Sequence, residues 1–69
     1  MRPWRVVCLI STASGVETIK YTTEAESWNK AYIQASDEIP EIAALFGVSI
    51  DDVSIDSVTG LPIPEGSSN

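Results

Sequence analysis

Trp4-Arg5-Val6-Val7-Cys8-Leu9-Ile10 is apolar at nearly every position and rich in β-branched side chains. That pattern predicts a strand buried on one face and at least partly covered on the other, which places it in the middle of a sheet. Next along the chain, Ala13-Ser14-Gly15 carries turn chemistry, with Gly15 free to take positive φ. Val16-Glu17-Thr18-Ile19-Lys20-Tyr21-Thr22 then alternates as a half-buried partner strand does, so the two segments form a β-hairpin. Further on, Asp52-Val53-Ser54-Ile55-Asp56-Ser57-Val58 reads as a third strand with Val53 and Ile55 facing inward.

A helix is predicted between the hairpin and the third strand. Thr23-Glu24-Ala25-Glu26 has the spacing of a capping box, in which hydroxyl and carboxylate satisfy each other's backbone amides. Ala25, Trp28, Ala31, Tyr32, Ala35 and Ile39 then recur along one stripe. Glu26 and Lys30 form an i,i+4 pair on the far side, where Ile33 also falls. Ile39-Pro40 is expected to end this helix, because proline pushes its predecessor out of the α region. Pro40 then opens a short second helical turn through Leu45, with Gly47 as its stop.

The order ββαβ predicts an α+β fold: one domain over residues 1–63 and a mobile tail over 64–69. A crossover helix lets the third strand lie beside the first, giving a three-stranded antiparallel sheet of order 2-1-3 with one main helix packed on one face. Val6, Cys8, Ile10, Ile19, Tyr21, Val53 and Ile55 should then face the helix. Arg5, Val7, Leu9, Thr18, Lys20, Thr22, Ser54 and Asp56 should line the opposite, open face.

At 69 residues the chain has room for one modest core. No apolar run approaches the roughly 20 residues of a membrane-spanning helix, and no membrane partner is expected. The apolar run over residues 6–10 is shorter than the roughly 7–15 residues of a signal-peptide core. A single cysteine permits no internal disulfide, and a cytosolic location is expected. Ten acids against four bases give a net charge of −6. Arg2, Arg5, Lys20 and Lys30 all precede residue 31, whereas the rest of the chain holds seven acids and no base. Nucleic-acid binders neutralise phosphates with Lys and Arg, so direct binding of DNA or RNA is disfavoured. A host protein with a basic surface is the expected partner.

The chain offers little for catalysis. It has no histidine, the commonest general base and metal ligand. Cys8 sits in an apolar strand, where a thiol is inert packing. The four glycines are isolated, so no phosphate-binding loop is present. The pairs Asp37-Glu38 and Asp51-Asp52 lack the ordered ligand alternation of a calcium loop. No enzyme activity, cofactor or metal site is expected.

Three features remain as candidates, the last of them Ile33, which falls beside Glu26, Lys30 and Asp37 on the solvent side of the helix. The first is acidic, comprising Asp37, Glu38, Glu41, Asp51, Asp52 and Asp56, and is either a mimic of nucleic-acid phosphates or a solubilising rim. The second is the open sheet face carrying Arg5, Val7, Leu9 and Lys20, an apolar patch of the kind that marks interaction sites. The Leu61-Pro62-Ile63-Pro64 segment, a second copy of the chain, or a partner would cover it. The outer strands add unpaired edges that can accept another strand.

Tyr21-Thr22-Thr23-Glu24-Ala25, the helix bearing Ala31 and Ala35, and the strand over residues 53–58 together give a layout that resembles the small podophage inhibitors of bacterial RNA polymerase. The likeness spans residues 4–58 and lies in the layout, with no diagnostic motif. That family's polymerase contacts include basic residues near its last strand. Here that strand carries Ser54 and Asp56, so no contact residue carries over. The resemblance implies a phage-type protein that inhibits or modulates a host machine by occlusion. RNA polymerase is one such target; a nucleic-acid-processing or defence complex, as met by anti-CRISPR proteins, is another. The alternative expectation is an assembly module that self-associates, as a homodimer or larger, through its open sheet face.

Overall fold

The computed structural model describes residues 1–62. The elements run β1 (Arg2–Thr12), β2 (Gly15–Ala25), α1 (Trp28–Phe46), a 3-10 turn (Ile50–Asp52) and β3 (Val53–Gly60). The strands form one antiparallel sheet ordered β2-β1-β3, and α1 packs on one face of it. This is the predicted ββαβ domain with its most apolar strand in the centre. The tail expected over 64–69, and residues 63 and 64 of the segment expected to cover the open face, lie outside the described residues.

The core follows from the alternation of β1. Val6, Cys8 and Ile10 are fully buried and pack with Ala35, Ile42, Ala43 and Val53, while Ile19, Tyr21, Ile39, Val48, Ile55 and Val58 close the cluster. Small side chains let the helix approach the sheet: Ala31, Ala35 and Ala43 are all buried. At the opposite end Trp4 packs with Ala25, Ala31 and Val58, and its indole N–H donates to the Ala25 carbonyl at 3.1 Å. Gly60 leaves room there, since a Cβ would come within 3.3 Å of the Trp4 ring. The Arg2 guanidinium lies over that ring, 5.3 Å from its centroid, in cation–π geometry.

The start of the helix differs from the sequence expectation by four residues. Thr23 is not a helix cap: it stays in β2 opposite Trp4 and donates its hydroxyl to Gln34 Oε1 at 2.8 Å. Ala25 likewise belongs to the strand. Ser27 caps α1 instead, accepting from the Lys30 amide, and Glu26 pairs with Lys30 at 2.9 Å. A hydroxyl that can cap either of two starts is read by whichever start leaves more of the strand paired, and β2 gains its pairs with Arg2, Pro3 and Trp4, at the end of the hairpin farthest from its turn, by running to Ala25.

The end of the helix also differs. Pro40 does not stop it; α1 continues to Phe46 and closes at Gly47, whose φ of 67° is the left-handed value that glycine favours. Ile42 and Ala43, both buried, anchor the turn after the proline. The predicted second helical turn is thus the end of the same helix.

Two residues of the predicted apolar stripe lie outside the core. Trp28 and Tyr32 are 47% and 41% exposed and stack on each other with centroids 5.2 Å apart. They overhang the β3 edge, where the Trp28 indole N–H donates to the Val58 carbonyl at 3.0 Å. The third strand begins at Val53, since Asp52 closes the 3-10 turn, and it is not regular. Cys8 pairs with Ile55 but Val7 pairs with Ser57, so Asp56 is the extra residue of a bulge. The bulge resets the alternation and lets Val58 face inward as Val53 and Ile55 do. Ser57 and Thr59 therefore join Ser54 in pairing with Val7, Arg5 and Leu9 of the open face.

Candidate interaction surfaces

The six acids of the predicted surface do not converge, and no group of three or more potential metal ligands gathers among the described residues. Asp37 and Glu41, one turn apart, are exposed along the outer ridge of α1, and Asp51 and Asp52 are exposed on the 3-10 turn that follows. Asp52 is partly committed locally, because its carboxylate accepts from the Ser49 amide while the Ser49 hydroxyl accepts from the Asp51 backbone amide. Asp56 projects from the bulge of β3 and is exposed.

Glu38 stands apart from the other five. It is half-buried on the flank of α1 and lies near Tyr21 and Cys8. Burial, and then the Glu38 carboxylate, push the Tyr21 hydroxyl up to about 12. Burial first and Glu38 second also raise the Cys8 thiol. Cys8 is therefore a buried, protonated thiol in the core, the inert environment expected for it.

The Glu38 carboxylate lies close enough to help hold the Tyr21 proton, yet among the described residues no group meets full hydrogen-bond geometry with the buried Tyr21 oxygen. An unsatisfied buried hydroxyl costs stability, so Tyr21→Phe is expected to leave stability at neutral pH unchanged or improved. The variant should differ more in alkali. Because the folded hydroxyl holds its proton more tightly than the unfolded one, its contribution is complete below about pH 10. It is lost as pH rises toward about 12. Urea titrations of both proteins across that window should show the parent's stability falling more steeply than that of the phenylalanine variant.

Of the apolar side chains that lie among the acids, sequence reasoning singled out Ile33 but not Leu45 or Ile50. Leu45 is 83% exposed, and Ile33 and Ile50 are also exposed. Glu41, Ala44 and Leu45 line a shallow concavity on the outer side of α1. A helical reading placed these residues beyond the proline, where no continuous ridge was expected; the uninterrupted α1 carries Glu41 and Ala44 along the side of Ile33 and Asp37, with Leu45 on the flank.

The open sheet face has the composition expected of it. Val7 and Leu9 are half-buried in its middle, Arg5 and Lys20 are exposed beside them, and Thr18, Thr22, Ser54 and Thr59 are exposed around them. Neither Arg5 nor Lys20 makes an ion pair among the described residues. The helix covers only the other face. Among the described residues no helix is long and apolar enough to cross a membrane. Compared with known protein families, curated proteins and solved structures, the chain matches none of them.

Proposed function

We propose that this domain is a binding module that occludes a surface of a host macromolecular machine, in the manner of small phage-encoded inhibitors, and that it works in the host cytosol. The observation that carries this reading is the outer ridge of α1 with its following turn. There Ile33, Leu45 and Ile50 are exposed, as are Asp37, Glu41 and Asp51 among them, and no base follows Lys30. Apolar contacts ringed by like charge are the anatomy of an interface core and rim, and the carboxylates would steer a basic partner onto it. A mechanism by occlusion needs no chemistry from the chain, consistent with a sequence that has no histidine and one cysteine.

The test is capture of partners from bacterial lysate at low and high salt, followed by affinity measurement on the partner found. Reversing Asp37, Glu41 and Asp51 to lysine should weaken binding and flatten its dependence on salt, while Leu45→Ser should weaken it equally at all salt concentrations. Unchanged affinity in the triple variant would overturn the acidic-ridge reading. A second reading, self-association through the open sheet face, is favoured by Val7 and Leu9, which no described element covers. Val7→Lys with Leu9→Lys should then dissociate the assembly while leaving its helical signal intact.

A further inference from the structure

The two edges of the sheet are treated differently. At the β3 edge, Asp56 forms a bulge, and the Trp28 indole occupies the Val58 carbonyl. Which way that carbonyl points follows from the ladder. The Leu61 amide donates to the Pro3 carbonyl at 3.0 Å, and proline has no amide to return, so the Arg2 guanidinium donates to the Leu61 carbonyl instead, at 3.1 Å. Pro3 thus directs its backbone toward β3. In an antiparallel ladder the hydrogen-bonded and non-bonded pairs alternate. The Val6–Val58 pair is therefore non-bonded, and the Val58 carbonyl faces away from the sheet. Bulges and covering side chains are how proteins blunt an edge.

Among the described residues the β2 edge has neither device. Its eleven residues pair with β1 without a register shift. The same alternation points Trp4, Val6, Cys8 and Ile10 toward β2. Thr18, Lys20, Thr22 and Glu24 must then direct their N–H and C=O groups outward, and no described backbone or side-chain group bonds them. The side chains of these four residues are exposed on the open-face side of the strand.

We propose that β2 pairs antiparallel with β2 of a second copy, with Thr22 on the twofold axis, joining the two sheets into one of six strands. The charges select that register. With Thr22 opposite its own copy, Lys20 faces Glu24 of the second chain and Glu24 faces its Lys20, a complementary pair made twice by symmetry. With Lys20 on the axis, two lysines would oppose each other. With Tyr21 on the axis, Lys20 would face Thr22, and Glu24 would face Thr18, so neither charge would gain a partner. In the Thr22 register the outward groups of Lys20, Thr22 and Glu24 all find backbone partners. Lysine on an open edge ordinarily discourages pairing; here it rejects the wrong register and favours one. The acidic outer ridge of α1 stays free in this assembly, so the pairing stands or falls separately from the occlusion reading.

Sedimentation velocity across a concentration series tests the proposal on the full chain. The parent should show a reversible monomer–dimer equilibrium. Lys20→Glu and Glu24→Lys, made singly, should each raise the dimer dissociation constant about tenfold, since each sets two like-charged pairs across the axis. The double exchange should restore the parent value. Thr22→Pro, which removes an outward amide that β1 does not use, should give a monomer with an unchanged circular dichroism spectrum. A parent that stays monomeric at every concentration overturns the proposal. So does a dimer indifferent to the single reversals, or one lost only in the Val7→Lys, Leu9→Lys variant, which would place the contact on the sheet face.

Discussion

Ile10→Ala is expected to lower the unfolding free energy by about 2–5 kcal/mol, read as a fall in the urea midpoint with the slope unchanged. Ile10 is among the largest fully buried side chains and sits where β1, β3 and the far end of α1 meet, opposite Val53 and in one cluster with Ala35, Ile42 and Ala43. The neighbours belong to hydrogen-bonded strands and to α1, so the cavity has little means of collapsing. A domain of this length has a stability of roughly 0.05–0.15 kcal/mol per residue, and the loss would remove much of it. Leu9→Ala, one residue away but on the open face, is expected to cost about 1 kcal/mol or less. The contrast between adjacent positions tests the inward and outward assignment of β1 directly. Equal losses at both would mean that Leu9 is covered as thoroughly as Ile10.

The sheet was legible because its information is local and redundant. Residues 4–10 are apolar on both faces, residues 16–22 alternate, and the same parity that buries Val6, Cys8 and Ile10 requires Ile19, Tyr21, Val53 and Ile55 to join them. Gly47 was legible as the helix stop for a similar reason, since a left-handed terminus asks for one residue type. What was not legible depends on competition between distant groups. Thr23 and Ser27 both offer a capping hydroxyl, and the choice between them rests on β1 pairing that no local window contains. Trp28 and Tyr32 have helical spacing with Ala31 and Ala35, yet the sheet is only three strands wide and the two rings reach past its β3 edge. The bulge at Asp56 left a trace, because Val58 would have faced outward under strict alternation. Of the predicted acidic surface, Asp37 and Glu41 lie one turn apart and exposed on α1, while Asp51 is exposed on the 3-10 turn that follows. Glu38 turns toward Tyr21 because residues seven positions apart, Ala31 and Glu38, lie on nearly the same helical bearing.

Pro40→Ala is expected to stabilise the domain by about 1–3 kcal/mol. Proline at this position gives α1 no amide for the Ser36 carbonyl, and its ring crowds that carbonyl, yet the helix runs unbroken from Trp28 to Phe46. Pro40 itself is exposed, so its replacement removes no core contact. Alanine supplies the missing amide and the best helical propensity; against this, the unfolded chain regains about 0.4–1 kcal/mol of backbone freedom. The balance favours alanine, and thermal unfolding should show a higher midpoint. The same substitution bears on the proposed interface, because Pro40 lies on the outer ridge between Asp37 and Glu41. If the partner reads only the side chains of that ridge, a stabler Pro40→Ala variant should bind as the parent does. Tighter folding with weaker binding would mean that the partner recognises the path the backbone takes across the proline. A fall in stability would mean instead that Ile42 and Ala43 reach the core only along the path that proline imposes.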